Sequence, residues 1–281
     1  MPEGPEIRRM VDDIAGAIAH RNARQVFFAF DRFKGYESAL AGRRVTGVYA
    51  RGKTVLVFFA ARGDDGPWCV YSHNQLYGKW RITAADAEPN TRRQLRFAVF
   101  TGDRAARLYS ASDIRLLRPD ALNALPYLAH LGPDPLNDDV DADDLAGRLQ
   151  DSRFSGRSLG GLLLDQAFVA GIGNYLRSEI LFEARIAPKS RPKDLTSDAR
   201  NTLAEAVIRL IQRAYQTQGI TNPPERARQL KADGASFGER RHMVFGRSGR
   251  NCYDCGREII KTTVASRRLY YCPRCQTAGP Y

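Results

Sequence analysis

The sequence predicts an α+β chain of several domains. A β-sandwich comes first, a helical domain second, and a small cysteine-bound β-hairpin last. Three observations carry this reading. Short runs of β-branched and aromatic residues, punctuated by Gly, Asp and Asn, recur from about residue 24 to 118; many short strands at that spacing make a sandwich, not a doubly wound sheet. A stretch rich in Pro, Asn and Asp follows, and beyond it the apolar period lengthens to that of helices. Near the end, Cys252-x-x-Cys255 and Cys272-x-x-Cys275 are separated by sixteen residues. The expected boundaries are 1–119 for the sandwich, 120–139 for a linker, 140–242 for the helical domain with a basic loop, and 243–281 for the cysteine hairpin.

The first element is MPEGPE. Pro2 is small enough for Met1 to be removed by processing, which leaves the ring nitrogen a free secondary amine. With Met1 attached, that nitrogen is an amide and chemically dead, so the active protein is expected to lack Met1. A secondary amine attacks a carbonyl-like carbon and forms an iminium directly, and an α-amino group titrates near ~8. Glu3 stands one residue away, able to trade protons with a leaving group or a sugar oxygen. The plainer alternative is an ordinary disordered terminus. IRRMVDDIAGAIAH then reads as an amphipathic helix that anchors it.

The strands follow as RQVFFAF, RRVTGVYARG, KTVLVFFAA, WCVYSH, KWRI, LRFAVFT and RAARLYSASDIRLL. Arg51-Gly52-Lys53 makes a turn between two of them. Lys53 there is either a solvated hairpin charge or a catalytic or phosphate-binding group presented at the sheet edge. Cys69, inside WCVY, reads as a buried core thiol. In YSHNQLYG, Gln75, Leu76 and Tyr77 form a polar–apolar–aromatic triplet on a loop after a strand. Such a triplet is either a hairpin with two half-buried residues or a wedge that fills the gap left by an extruded base.

In the helical half, DADDLAGRLQ starts with the acidic residues that suit a helix N-terminus. SLGGLLLDQ is a short apolar helix, GNYLRSEILFEARI follows, and LTSDARNTLAEAVIRLIQRAYQTQG is the longest periodic helix. Gly171-Ile172-Gly173-Asn174 opens the third of these four. It is either a turn whose free N–H groups hold a phosphate, with Asn174 donating to it, or a plain glycine turn with an Asn cap. Residues 221–248, rich in Pro, Arg and Gly, read as a mobile basic loop. The two C-x-x-C pairs form two knuckles around one zinc ion, and four thiolates close a tetrahedral site, so the metal is structural. Between them, Lys261 and Ser266-Arg267-Arg268 lie on a β-hairpin, as surface charge or as a tip that delivers arginine to a phosphate.

Composition bounds the function. The 281 residues are 43% hydrophobic and 26% charged with net charge +12, which points to a polyanionic partner. No apolar run reaches the length of a membrane span and no leader precedes Pro2. Four of five cysteines in metal spacing argue for a reducing compartment. A cytoplasmic monomer is expected, and membrane-spanning and disulfide-rich secreted classes are excluded.

MPEGPEIRR, ARGK, YSHNQLYG, LYSASDI, LLLDQAFVAGIGNYLRSEIL and the hairpin from Cys252 through SRRLYYCPRC stand in the order of one family. Over nearly the whole chain the sequence resembles the formamidopyrimidine-DNA glycosylase/endonuclease VIII family, on its endonuclease VIII branch. The resemblance implies a β-sandwich with the catalytic terminus, a helix–two-turn–helix domain, a zinc finger, and DNA lying in a cleft. It implies that Pro2 attacks C1′ of the damaged nucleotide and that Glu3 donates a proton to the sugar. Lys53 would contact phosphate and support β-elimination, and Arg267 would serve δ-elimination. Gln75, Leu76 and Tyr77 would fill the void in the duplex, and Asn174 would contact phosphate. The implied activity is a bifunctional glycosylase and abasic-site lyase of base excision repair, acting on double-stranded DNA with oxidised pyrimidines or abasic sites.

Two departures stand out. His130 sits just before Gly132-Pro133-Asp134, where the branch carries a DNA-contacting arginine, and a neutral imidazole weakens such a contact. The segment 221–248 is longer and more basic than the branch implies, as a lesion-covering loop would be. The competing readings are the same chemistry on oxidised purines, which shares every catalytic residue, and a non-catalytic protein that binds damaged DNA. A zinc-ribbon ribosomal or transcription protein has no place for the β-sandwich.

Overall fold

The computed structural model describes residues 2–277. Met1, on whose removal the Pro2 chemistry depends, lies outside the described residues, as do the last four residues of the expected 243–281 domain. The chain divides into two compact units. One contains Pro2 and Ile7–His130; the other contains Glu3–Glu6 and the chain from Leu131 onward.

The first unit begins in helix α1 (Gly4–Ile18), whose opening turn counts with the second unit. Ile7, Val11, Ile14 and Ile18 recur at helical spacing and are buried. Strand β1 (Gln25–Phe28), the short helices α2 (Asp31–Lys34) and α3 (Tyr36–Leu40), and strands β2 (Val45–Arg51), β3 (Thr54–Phe59), β4 (Trp68–His73), β5 (Lys79–Ala84), β6 (Leu95–Phe100), β7 (Arg104–Tyr109) and β8 (Asp113–Leu117) follow. They form two four-stranded sheets of order β1-β6-β7-β5 and β2-β3-β4-β8, with every pairing antiparallel. Val26, Phe28, Val55, Val57, Phe59, Val70, Phe97, Val99 and Leu108 pack with the apolar stripe of α1 into one core. Burying each such side chain contributes about 1.5–3 kcal/mol. Cys69 belongs among them in burial at 0% exposed, and desolvation pushes its thiol up to about 12. The run RAARLYSASDIRLL is not one strand. Ser110 adopts a left-handed backbone (φ 54°), and there the chain leaves one sheet as β7 and enters the other as β8.

Residues 119–139 hold more structure than a bare linker. A 3₁₀ turn at Pro119–Ala124 and helix α4 (Pro126–Ala129) occupy their first half, each with proline in the first turn, where its missing N–H costs nothing.

The second unit is helical apart from one hairpin. Helix α5 (Ala142–Gln150) starts with a reciprocal capping box between Asp141 and Asp144. The single turns α6 (Ser152–Ser155) and α7 (Leu159–Leu162) lead to α8 (Asn174–Glu183) and the long α9 (Ser197–Gln216), capped by Thr196. Leu145, Leu149, Leu162, Leu176, Ile180, Leu203, Val207 and Leu210 form the core between them. Residues 221–248 are not an open loop. Helix α10 (Pro224–Ala232) starts on a proline, and the turn α11 (Phe237–Arg240) starts with a Ser236–Glu239 capping box. Both are too short to show periodicity against so many arginines. The final hairpin pairs β9 (Ile260–Val264) with β10 (Arg267–Tyr271). Its small core of Met243, Val244, Ile259 and Tyr270 is completed by Phe182 of α8, so the hairpin borrows apolar surface as well as using its cysteines.

Candidate active site and metal centre

The second unit is built around the start of α8. The Glu3 carboxylate accepts the backbone N–H of Gly173 (Oε2, 2.7 Å), Tyr175 (Oε1, 2.9 Å) and Leu176 (Oε2, 3.2 Å). Those amides have no partner inside the helix, and the helix dipole favours an anion there. Of the glycines flanking Ile172, Gly173 holds Glu3, while the Gly171 N–H donates to Gln166 Oε1 at 3.1 Å. A Cβ on Gly173 would lie 2.4 Å from Glu3 Cδ, and Gly171 packs Cα to Cα against Gly4 where Gly4 N–H donates to Gly171 O at 2.8 Å. Asn174 is the first residue of α8 and not its cap; the cap position is Gly173, and Asn174 Oδ1 lies 3.4 Å from Arg177 Nη2. Glu3 is 5% exposed, and its position fixes the backbone next to Pro2, which is half-buried.

Three successive polar residues of α8 hold the rest of the unit. Arg177 is fully buried. Its guanidinium donates to Gly160 O (2.6 Å), Val264 O (3.2 Å), Arg267 O (3.3 Å) and Arg268 O (3.0 Å). Burial lowers its pKa to about 10, so it remains a cation at neutral pH. Three of these carbonyls, of Val264, Arg267 and Arg268, flank the hairpin turn, where Ala265 (φ 51°) and Ser266 (φ 56°) are both left-handed without being glycine. Such a turn is strained by about 1–2 kcal/mol per residue, and Arg177 clamps both sides of it. Arg267 leaves that turn exposed. Next, Ser178 Oγ accepts from Tyr270 N at 3.2 Å. Finally, the buried Glu179 accepts from Met243 N (2.7 Å), Val244 N (2.9 Å), Phe245 N (2.8 Å) and Thr221 Oγ1 (2.7 Å). Desolvation pushes its carboxyl up, and these four donors oppose the shift.

A further network reaches the first turn of α1. Glu6 Oε2 accepts from Glu3 N (3.0 Å) and Tyr175 Oη (3.2 Å), and Glu6 Oε1 accepts from Arg241 Nη2 (3.1 Å). Burial, then the neighbouring Glu6 and Glu3, hold the Tyr175 phenol well above its ordinary pKa, so it stays a donor. His242 stacks against Tyr175 with ring centroids 5.0 Å apart. Its Nδ1 lies 3.0 Å from Thr221 Oγ1. That hydroxyl already donates to Glu179, so the imidazole donates to it. Burial, with Arg241 beside it, depresses His242 to about 3. Arg241 and Arg226 turn inward, Arg226 onto Asp254 at 3.0 Å, so part of the basic character of 221–248 is structural.

Among the cysteines, Cys252 Sγ and Cys275 Sγ are 3.9 Å apart, Cys255 Sγ and Cys272 Sγ 3.4 Å, and all four sulfurs lie within 4.8 Å of one another. Four thiolates at ~2.3 Å from a tetrahedral ion stand roughly 3.8 Å apart, so the set fits one zinc ion. Cys275 N donates to Cys272 Sγ at 3.4 Å, as in a metal knuckle.

In the first unit, Lys53 follows Gly52 (φ 56°) in the β2–β3 turn. It is 7% exposed, not a solvated hairpin charge, and its N–H donates to Tyr127 Oη at 3.1 Å. Residues 74–78 turn tightly between β4 and β5. Gly78 N donates to Asn74 O at 2.7 Å, and a Cβ on Gly78 would lie 2.7 Å from the Asn74 backbone. Gln75 is left-handed (φ 48°), its Oε1 accepting from Ser112 Oγ at 3.0 Å. Leu76 and Tyr77 are 65% and 70% exposed, not half-buried as an ordinary hairpin would leave them. His130 follows α4, exposed, with Nδ1 2.7 Å from Pro126 O.

Glu3, Asn174, Arg267 and the four cysteines thus gather around α8, while Lys53 and Gln75–Tyr77 share an edge of the β2-β3-β4-β8 sheet. Arg177, Glu179, Glu6, Arg241 and Tyr127 were not singled out by sequence. Glu6 lies inside the opening motif, and Arg177 and Glu179 lie inside LLLDQAFVAGIGNYLRSEIL, but the sequence assigned none of them a role.

Two family models match the chain: the formamidopyrimidine-DNA glycosylase N-terminal domain over residues 1–116 and the formamidopyrimidine-DNA glycosylase H2TH domain over 131–224. The chain is 43% identical over 276 residues to endonuclease 8 of Shigella sonnei, covering 98% of this chain and 100% of that protein. It is 42% identical to endonuclease 8 of Pectobacterium atrosepticum, covering 99% and 100%. Solved structures with the same fold include a mutant of Lactococcus lactis FPG with Fapy-dG-containing DNA (TM-score 0.78, 25% identity, 98% and 99% of the two chains). Another is wild-type Lactococcus lactis Fpg with DNA containing an oxidised pyrimidine (TM-score 0.77, 25% identity, 98% and 99%).

Proposed function

The chain belongs to the formamidopyrimidine-DNA glycosylase/endonuclease VIII family of DNA glycosylases with abasic-site lyase activity, and on that premise we propose that it releases oxidised pyrimidines from double-stranded DNA through a Schiff base on Pro2. The observation that carries this is the seat of Glu3. A carboxylate held by three amides of α8 gives the neighbouring amine a fixed place in which to meet a substrate carbon, which is the entropic part of catalysis.

The chemistry proceeds on the chain freed of Met1. The Pro2 nitrogen lone pair bonds to C1′, and the glycosidic C1′–N bond breaks, its electrons leaving with the base as the base takes up a proton. Glu3 takes up the N–H proton that the alkylated Pro2 nitrogen sheds and passes it to the ring oxygen; the C1′–O bond breaks as the sugar opens, and the freed nitrogen lone pair completes an iminium between Pro2 and C1′. The iminium acidifies C2′–H; loss of that proton expels the 3′ phosphate, and a second elimination expels the 5′ phosphate. Lys53 serves the β-elimination and Arg267 the δ-elimination. Gln75, Leu76 and Tyr77 occupy the gap left by the flipped base. Asn174 contacts backbone phosphate, and His130 makes a weaker phosphate contact. Zinc held by Cys252, Cys255, Cys272 and Cys275 supplies no reaction step; it closes the hairpin that carries Arg267. The protein acts as a monomer in the cytoplasm. Among the described residues, no helix is long and apolar enough to cross a membrane.

Borohydride trapping tests the reading on three duplexes, containing thymine glycol, 8-oxoguanine or an abasic site. The expected result is a covalent adduct on thymine glycol and the abasic site, lost in Pro2→Gly and greatly reduced on thymine glycol in Glu3→Gln. An adduct on 8-oxoguanine alone reassigns the enzyme to oxidised purines. Binding without any adduct leaves a damage-binding protein and withdraws the catalytic roles. Full retention of Met1 in an active preparation, seen by intact mass, overturns the mechanism.

A further inference from the structure

Between the Lys53 turn and the 74–78 loop stand two rings that the mechanism does not use. His73 ends β4, paired with Thr54 on one side and Asp113 on the other. Its Nδ1 accepts the backbone N–H of Gln75 at 2.9 Å. Its ring meets Tyr127 edge to face, centroids 5.3 Å apart at 82°. Tyr127 Oη in turn accepts the Lys53 N–H at 3.1 Å. One aromatic contact therefore joins the backbone amide that sets Lys53 to the amide that sets the left-handed Gln75.

We propose that His73 and Tyr127 are a positioning pair, which fixes the gap-filling loop and the Lys53 turn relative to each other so that base displacement and lysine placement occur together. The proposal rests on the reading of Lys53 and Gln75–Tyr77 given above. Its chemistry is specific. Gln75 at φ 48° is in the left-handed region, which costs a non-glycine residue backbone strain, and the bond to His73 offsets that strain. The acceptor must be an unprotonated Nδ1, with the proton on Nε2. The charged or titratable groups facing the imidazole are Lys53 from the β2–β3 turn, Asp113 from β8 and Tyr127 from α4; Asp113 is itself paired with Arg115 at 3.4 Å. Burial lowers the His73 pKa, Asp113 opposes this, and Lys53 adds to it, so the ring is neutral at neutral pH. Protonation at acid pH deletes the acceptor and frees the loop.

The test uses the full-length zinc-loaded protein and three variants. His73→Phe keeps a ring against Tyr127 and removes the acceptor. His73→Asn restores an acceptor, because an Asn side-chain oxygen bonds the N–H two residues on, as in an Asx turn. Tyr127→Phe keeps the ring and removes the oxygen on Lys53. In single-turnover assays on a lesion duplex, His73→Phe should slow base release about tenfold, and borohydride trapping at a preformed abasic site should change less. His73→Asn should recover most of that rate and lack the wild-type fall at acid pH. Tyr127→Phe should slow strand cleavage more than base release. Rates within twofold of wild type in both Phe variants, or an Asn variant no better than Phe, overturn the proposal. A wild type inert on every substrate overturns the functional reading instead. Amide exchange in the free protein then still decides the pair: Gln75 exchanging faster in His73→Phe and slower again in His73→Asn supports it, and unchanged protection overturns it.

Discussion

Glu3, Arg177 and Glu179 in the second unit are buried charges, each held by several backbone groups. Lys53 and Gln75–Tyr77 in the first unit are placed by turns, through the left-handed Gly52 and Gln75 and the absent Cβ of Gly78. The difference is in how each arrangement fails. A buried charge that loses its partners, or leaves them unpaired, costs the whole desolvation of the orphaned groups. A turn that is mispacked opens by degrees. The second unit should therefore lose stability abruptly on mutation, and the first should lose geometry gradually.

The largest effect belongs to Glu179→Ala, which leaves three amides inside the fold without an acceptor and leaves the Thr221 hydroxyl only its bond to Arg241 O at 3.1 Å. It should destabilise the second unit by about 3–5 kcal/mol in urea unfolding. A cost under about 1 kcal/mol would break the contrast between the units. Arg177→Lys comes next, at about 2–3 kcal/mol, because one ammonium cannot span carbonyls on α7 and on both sides of the hairpin turn. Chelator competition should also strip metal faster from this variant than from wild type, as the hairpin loosens.

The pH dependence of stability sharpens the comparison further. His242 is depressed to about 3 from an unfolded value near ~6.5. The unfolded chain therefore binds a proton that the fold refuses. Stability from this group is complete above the unfolded pKa and declines as pH falls toward about 3, by at most ~1.4 kcal/mol per pH unit. The difference between wild type and His242→Phe, followed by denaturation at several pH values, should show that slope; parallel curves would refute it. Smallest is Gly78→Ala, where the new methyl meets the Asn74 backbone at 2.7 Å. It should cost about 1–3 kcal/mol, and the loop should open enough for amide exchange at Gly78 to rise.

Much of this architecture was legible. Pairs of cysteines at knuckle spacing, β-branched runs between Gly and Asp, and the acidic start of α5 are local signals, and each has a local cause. The exposed Leu76 and Tyr77 were legible as a candidate because an apolar pair beside an amide on a loop is unusual. Arg177 and Glu179 were not, since all their partners named above except Gly160 and Asn174 lie some 40–90 residues away in sequence and a charged residue in a helix normally faces water. What fills the amides at the start of α8 was hidden for a related reason. Free amides at a helix start do attract an anion, but the anion came from the other end of the chain. The helices in 221–248 were hidden because nine residues give too few turns for a period to show.

The bond from Gly4 N–H to Gly171 O also sets the timing of local opening. Residues Glu3–Glu6 count with the second unit, although the helix they begin runs on into the first. The Gly4 amide can exchange with solvent only when its bond to Gly171 O lets go, so its protection reports the opening of the segment that leads into α8 and not the fraying of a free end. The first residues of a chain are ordinarily the fastest-exchanging part of a protein; here the Gly4 amide should be among the slow ones, and Glu3 inherits the lifetime of a helix about 170 residues away in sequence.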